Sequence, residues 1–219
     1  TPREAKAMSP FPFETYVERT AIAQSELARY GLLTMLSLAQ EPYFYLFGYY
    51  GGGYVFCQCA VLTTEGESVT LLCRRPDVVQ AEDRSTVDDI RVSLNAEDAN
   101  PTRLLWGILI AGELTGSTVG VEMESHGYTS ATFTAIAATL KGVCKHVDGS
   151  KMVQRQRIVK SPEELDYMRK AASLTAAAMT ALLEGDGGMP PAGPLVNSGR
   201  RTIYGRVVGG AHPLEAKIR

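Results

Sequence analysis

The chain has 219 residues, of which 45% are hydrophobic and 21% charged, a balance typical of a globular protein rather than a disordered one. It has 22 Lys and Arg residues and 24 Asp and Glu residues, so the formal net charge is −2. Without a basic excess, nucleic acid is not expected as a partner. The longest apolar stretch, near residues 32–38, is too short to span a bilayer, and the first residues lack the apolar core of a signal peptide. We therefore expect a cytoplasmic protein with no membrane partner.

The first 150 residues alternate between helical and strand patterns. Residues 1–12 contain three prolines and are interpreted as an N-terminal arm, and residues 13–30 have apolar positions at helical spacing up to Gly31. Residues 32–38 predict a buried strand, and an aromatic segment follows it over residues 43–54. Further strands are predicted over 54–62, 68–73, 119–122 and 143–147, the first two forming a hairpin, with helices over 104–114 and 129–140. This order predicts the α/β class, with a mixed sheet flanked by helices.

The four cysteines are consistent with a reducing compartment. Cys57 and Cys59 point to the same face of a strand and cannot easily bridge each other, while Cys73 and Cys144 stand alone. The sequence contains no CxxC pair, and no His lies at zinc-ligand spacing from a Cys. We expect reduced thiols buried in the core.

The strongest local signal lies after a weakly alternating connector at 151–161. Ser161 can accept from first-turn N–H groups, Pro162 suits the first helical position, and Glu164 completes a capping box. Apolar positions at three- and four-residue spacing then continue to Glu184. The pattern predicts a long helix that opens a second region of the chain.

Residues 157–171 read Arg-Ile-Val-Lys-Ser-Pro-Glu-Glu-Leu-Asp-Tyr-Met-Arg-Lys-Ala. This string resembles the junction between the N-terminal and catalytic domains of the creatinase/aminopeptidase P/prolidase family, which has the pita-bread fold. Gly31-Leu32, the aromatic segment ending in Gly48, the hairpin and Val-Gly-Val-Glu-Met at 119–123 are similar to the family's upstream layout. Residues 191–199, ending in Ser-Gly, are similar to its first catalytic strand. Details at 121–124 and 156–160 resemble the Xaa-Pro peptidase-like and ectoine-hydrolase-like branches.

The resemblance implies a domain organisation and a function. It implies an arm at 1–12, a creatinase/prolidase N-terminal-like domain at 13–150, a linker at 151–161 and the start of an incomplete α+β pita-bread catalytic domain at 162–219. The implied activity is that of a hydrolase, an aminopeptidase or amidohydrolase acting on C–N bonds of small peptides or amides.

The chain departs from the family pattern in two ways. Only residues 185–189 separate the long helix from the Ser-Gly strand, where family members have a further helix. The metal-binding members take two Asp, one His and two Glu from beyond that strand. We therefore expect no metal site in this chain, a Mn, Co or Zn pair only in a full-length parent, and no activity from the 219-residue chain by itself. Two alternatives stay open: a metal-free creatinase-like amidinohydrolase, and a non-catalytic module for dimerisation or substrate gating.

The candidate site residues follow the Ser-Gly strand. His212 lies in a Gly-Ala-His segment similar to the one that carries the proton-shuttling histidine of creatinase, although it stands several residues further on than the family pattern. Arg200, Arg201 and Arg206 could hold a substrate carboxylate, since a guanidinium fork matches it with two hydrogen bonds. The alternatives are a loop histidine and a solvated basic face.

Family members are homodimers, so the resemblance also implies self-association. The aromatic segment 43–54 has two interpretations: core packing at the end of the first strand, or an exposed patch near a dimer interface.

Overall fold

The computed structural model describes residues 10–51, 57–66, 69–94 and 100–184. The helices are α1 (Phe13–Arg29), α2 (Gln40–Phe47), α3 (Val78–Arg84), α4 (Pro101–Ala111), α5 (Ser130–Leu140), α6 (Met152–Gln156) and α7 (Pro162–Glu184). The strands are β1 (Thr34–Ser37), β2 (Cys59–Thr63), β3 (Thr70–Arg74), β4 (Asp89–Ser93), β5 (Thr118–Val121) and β6 (Lys145–Asp148). A 3₁₀ turn, Arg75–Asp77, leads into α3. No helix in these ranges is long and apolar enough to cross a membrane.

The six strands form one mixed sheet in the order β4-β3-β2-β1-β5-β6. The β1–β2 and β2–β3 pairs are antiparallel, whereas β3–β4, β1–β5 and β5–β6 are parallel. The predicted hairpin is therefore the β2–β3 pair. The predicted α/β class, with a mixed sheet flanked by helices, is confirmed.

Both faces of the central strands β1, β2 and β3 are buried. Successive residues of a strand point to opposite faces, so Met35 of β1 packs with α1 and α2 in one layer of the core while Leu36 packs with α4 and α5 in the other. Burial of all four β1 residues explains why the run 32–38 is mostly apolar instead of strictly alternating.

Residues 43–47 of the aromatic segment lie in α2 and not at the end of a strand, and residues 52–54 lie outside the described residues. Tyr43 and Phe47 of α2 and the following Tyr49 are all at most 2% exposed, so the core-packing interpretation is confirmed for these rings and the interface interpretation is wrong for them. Gly48 ends α2 at φ 70°, and a Cβ there would lie 3.0 Å from the carbonyl oxygen of Arg84. Glycine is therefore required by both the backbone conformation and the space.

Three other elements differ from the sequence prediction. Helix α3 and strand β4 were not predicted, because α3 has seven residues and β4 is a polar strand with two exposed positions. The weak alternation over 151–161 predicts an extended connector, whereas Met152–Gln156 form the short helix α6. Helices this short carry too few turns to show a clear period.

The chain divides into two compact units, Thr1–Arg157 and Ile158–Arg219. In the second unit the predicted capping box is present: Ser161 Oγ accepts from the Glu164 N–H at 3.1 Å, and a Glu164 carboxylate oxygen accepts from the Ser161 N–H at 2.8 Å. Residues 185–219 of the predicted catalytic-domain start lie outside the described residues. The domain limits at 12, 150 and 161 stay predictions.

Candidate functional site

The parallel strands β1 and β5 lie side by side and end at the same edge of the sheet. From β1 the chain continues into α2 on one face of the sheet, and from β5 it continues into α5 on the other face. Such a switch point leaves a crevice between the two strand ends, which is where open α/β sheets commonly bind ligands. A ligand-binding site is therefore expected at this edge of the sheet.

The crevice is filled by the protein's own carboxylate. Glu122 follows β5 directly and is 4% exposed. Its Oε2 accepts hydrogen bonds from Ser37 Oγ at 2.9 Å, the Leu38 N–H at 3.1 Å and the Ala39 N–H at 2.9 Å. The two N–H groups belong to the turn that leads into α2. Glu122 thus ties the ends of β1 and β5 together and satisfies donors that would otherwise be buried without a partner.

The electrostatics of Glu122 follow from this position. Burial raises the pKa of the Glu122 carboxyl, while the hydrogen bonds from Ala39, Ser37 and Leu38 oppose that rise and the nearby Glu41 carboxylate adds to it. Burial is the largest of these effects. The carboxyl therefore keeps its proton to a higher pH than an exposed glutamate does.

Tyrosines and thiols surround this carboxyl without forming a reactive group. Tyr43 Oη lies 2.9 Å from the carbonyl oxygen of Ser37 and 3.0 Å from that of Gln58, and Tyr49 donates to Gln58 Oε1 at 3.3 Å. Burial raises the pKa of the Cys59 thiol, and the Cys57 and Glu122 charges act in the same direction. An activated nucleophile requires a lowered thiol pKa, so Cys59 is a core residue. The cluster fixes the strand ends in place.

A second polar group lies at the end of β6. The Asp148 carboxylate accepts hydrogen bonds from the Ser150 hydroxyl and N–H, and these bonds lower the pKa of Asp148. Ser150 Oγ accepts in turn from the Glu124 N–H at 2.9 Å. Together they hold the loops after β5 and β6.

A pocket of about 280 Å³ lies beside the β6 end. Tyr30, Asp148, Lys151 and Arg155 are among the residues that line it, and the Arg155 guanidinium donates to Tyr30 Oη at 2.8 Å. Its volume lies just below the range of pockets that hold drug-sized ligands.

The predicted site residues lie elsewhere in the chain. His212, Arg200, Arg201 and Arg206 all fall outside the described residues and stay predictions. Among the described residues, no three His, Cys, Asp or Glu side chains are grouped so that they could hold a metal ion. The described residues therefore do not fit the metal pair of the metal-dependent family members.

The sequence pattern indicates no role for Glu122 beyond its place in Val-Gly-Val-Glu. The available signal was an acidic residue directly after an apolar strand, because such a residue must find donors when it is buried. Its donors lie more than 80 residues away in sequence, which no local pattern reveals.

The sheet order and the two-layered core define an α/β domain with a mixed sheet. A family model described as "Creatinase/Prolidase N-terminal domain" matches residues 19–159. The chain belongs to this family, and its N-terminal unit has the fold of the N-terminal domain of pita-bread peptidases.

Individual relatives agree with this assignment. The chain is 25% identical over 218 residues to ectoine hydrolase from Halomonas elongata, a match that covers 93% of this chain and 54% of the relative. A prolidase from Thermococcus sibiricus superposes with a TM-score of 0.65 at 17% identity, over 78% of this chain and 44% of the prolidase. An Xaa-Pro aminopeptidase structure from Streptococcus pyogenes superposes with a TM-score of 0.52 at 17% identity, over 66% of this chain and 98% of that structure. The chain thus spans about half the length of the ectoine hydrolase.

Proposed function

We propose that this chain is part of a hydrolase of C–N bonds in small peptides or amides, of the ectoine-hydrolase-like or Xaa-Pro peptidase-like kind. The observation that carries the proposal is the extent of the match to ectoine hydrolase. That match covers 93% of the chain, whereas the family model ends at residue 159. The similarity therefore includes the second unit, where the resemblance places the start of the catalytic domain.

We assign different roles to the two units of the chain. The unit Thr1–Arg157 supplies a frame in which Glu122 ties the ends of β1 and β5 together, and burial raises the pKa of its four cysteine thiols, so none of these four is an activated nucleophile. In the second unit, His212 would move a proton at the scissile C–N bond, and Arg200, Arg201 and Arg206 would hold a substrate carboxylate. A Mn, Co or Zn pair belongs to the proposal only for a longer parent protein, where it would activate water.

The location and the assembly of the protein are two further proposals. The four cysteines are free, which supports a reducing compartment such as the cytoplasm. The family resemblance also supports a homodimer, and this proposal is independent of the proposed activity.

The test is a comparison of three substrates. The protein from its intact gene and the 219-residue chain are each incubated with ectoine, an Xaa-Pro dipeptide and creatine, with Mn²⁺ or with EDTA. We expect the intact protein to hydrolyse ectoine or the dipeptide in Mn²⁺ and to lose that activity in EDTA, and the 219-residue chain to be inactive.

The other results identify the alternatives. Creatine hydrolysis that survives EDTA would indicate a metal-free creatinase-like amidinohydrolase. An intact protein without activity on any of the three substrates would favour a non-catalytic module for dimerisation or substrate gating.

A further inference from the structure

Strand β4 is the end strand of the sheet, and an apolar groove runs beside it. Among the described residues β4 pairs with β3 alone, so one row of its backbone N–H and C=O groups faces outward. The groove has a volume of about 670 Å³ and lies between β4 and α4. An open strand edge next to an apolar groove is the arrangement that binds a further β-strand.

The groove is lined by large exposed apolar side chains. Leu94 is 56% exposed, Trp106 44% and Leu104 41%, and Gly107 leaves a hollow next to Trp106. With Val92 these side chains leave on the order of 300 Å² of apolar surface in water, the size of patch that is often functional on a monomer. Among the described residues, the charged ones that line the groove are Arg91 and Arg103.

The charges of β4 favour a second copy of this chain as the occupant. Asp89 and Arg91 are two apart, so they lie on the same face of the strand, and they form an ion pair at 2.6 Å with 34% and 58% of their side chains exposed. In a two-fold antiparallel pair centred on Ile90, Asp89 of each copy would face Arg91 of the other. The strand is therefore self-complementary in this register, with two opposite-charge pairs across the axis.

We propose that the β4 edge and the adjoining α4 groove form the homodimer surface of this protein, with β4 of two copies paired antiparallel and Trp106 of each buried against the other. This inference rests on the self-association proposed above and identifies the surface that mediates it. The two apolar patches would form the centre of the interface, and the paired strands would add a charged rim around it. A stable dimer buries roughly 1,200 Å² in total, and the patches and the paired strands together would contribute to that area.

The experiment uses the 219-residue chain, in which Trp106 is the single tryptophan. Sedimentation velocity across micromolar concentrations gives the assembly state, and tryptophan emission with acrylamide quenching reports the surroundings of Trp106. We expect a dimer whose emission shifts to the blue and whose quenching falls as the concentration rises. Leu104→Glu should weaken the dimer at least about tenfold by placing a charge in the interface. Ile22→Glu, at a 52% exposed position of α1, is the matched control and should leave the dimer unchanged.

Charge reversal tests the pairing of the strands directly. Arg91→Asp and Asp89→Arg each place like charges opposite each other, so each variant alone should be monomeric at concentrations where the wild type dimerises. An equimolar mixture of the two folded variants should dimerise again, because each reversed charge then meets its opposite on the other copy. Circular dichroism establishes that both variants are folded before they are mixed.

A wild type that stays monomeric, with Trp106 equally quenched at every concentration, would overturn both the dimer and this surface. A dimer that persists in Leu104→Glu, or a mixture of folded reversal variants that stays monomeric, would overturn the surface while leaving the proposed dimer in place. Dissociation by Ile22→Glu alone would place the interface on α1 instead.

Discussion

Glu122 is the residue on which the closed switch point depends. One carboxylate oxygen accepts from a hydroxyl and two backbone N–H groups of the β1–α2 turn. Removing that oxygen leaves the N–H groups of Leu38 and Ala39 buried without an acceptor, which costs more than the net value of the bonds themselves. The side chain therefore acts as a structural tie.

Glu122→Ala should lower the free energy of unfolding by about 3 kcal/mol, because it combines a cavity with orphaned donors. The matched control is Glu124→Ala. The Glu124 side chain is 59% exposed and paired at 3.5 Å with an equally exposed Lys151, and its loss should have almost no effect. Urea unfolding followed by circular dichroism measures both variants. Equal midpoints for the two variants would contradict the structural role of Glu122.

The protonation of Glu122 predicts a pH dependence. Its pKa is raised above 4.5 in the folded chain, so the folded state holds the proton to a higher pH than the unfolded state. The stability contributed by the protonated group is complete below the unfolded pKa and is lost as the pH rises through the folded pKa. Glu122→Gln does not titrate and should not show this loss. Urea melts from acidic to neutral pH should therefore show the stability of wild type falling relative to the variant, whereas parallel pH profiles would disprove the assignment.

At the scale of single elements, the capping box of α7 makes a separate prediction. Ser161→Ala removes the acceptor for the Glu164 N–H and should destabilise the helix by about 1 kcal/mol. Ser173→Ala is the control on the same helix. The Ser173 hydroxyl bonds only to the carbonyl oxygen of Arg169 one turn back, and alanine is the better helix former, so this change should be neutral or stabilising. Denaturant melts with unchanged slope and equal midpoints for Ser161→Ala and wild type would rule out the cap.

The elements that could be predicted from the sequence are those with a strong local signal. Helix α1 has helical apolar spacing and ends two residues before Gly31, α7 begins with a capping box, and β1 lies within the mostly apolar run 32–38. Helix α2 could not be predicted because aromatic residues on nearly every side conceal its period. Strand β4 could not be predicted because its charged residues Asp89 and Arg91 have the composition of a loop.

The site was less predictable than the fold for a physical reason. Glu122, Ser37 and Gln58 come together only when the sheet forms, since β1, β2 and β5 are far apart in sequence. Local sequence patterns predict helix caps and the two-residue period of strands, but they do not predict which residues of two distant strands pair with each other. The candidate site residues His212, Arg200, Arg201 and Arg206 come instead from the family resemblance. Their proposed roles stay predictions.

For the whole molecule, metal binding gives a prediction about the 219-residue chain. Mn²⁺, Co²⁺ and Zn²⁺ should bind no more tightly than scattered surface carboxylates and histidines allow, since the resemblance places the ligand set beyond the Ser-Gly strand. Isothermal titration calorimetry on the purified chain measures this. A stoichiometric, submicromolar site would show that a ligand set lies within these 219 residues.

The central claim, hydrolysis of a C–N bond, is tested most directly by the source of the oxygen in the product. The protein from its intact gene is incubated in ¹⁸O-labelled water with ectoine and, separately, with an Xaa-Pro dipeptide. Mass spectrometry then measures the masses of the products. In the dipeptide, hydrolysis breaks the amide C–N bond, transfers one water oxygen to the carbonyl carbon and leaves the proline nitrogen as an amine. In ectoine, a cyclic amidine, water adds to the amidine carbon, one ring C–N bond breaks, and the opened product has an amide and an amine. The proposed function predicts one ¹⁸O atom in the product, in a new carboxylate for the dipeptide or in a new amide carbonyl for ectoine, and unlabelled remaining substrate. A cleaved product without the label, or no cleavage of either compound, would contradict it.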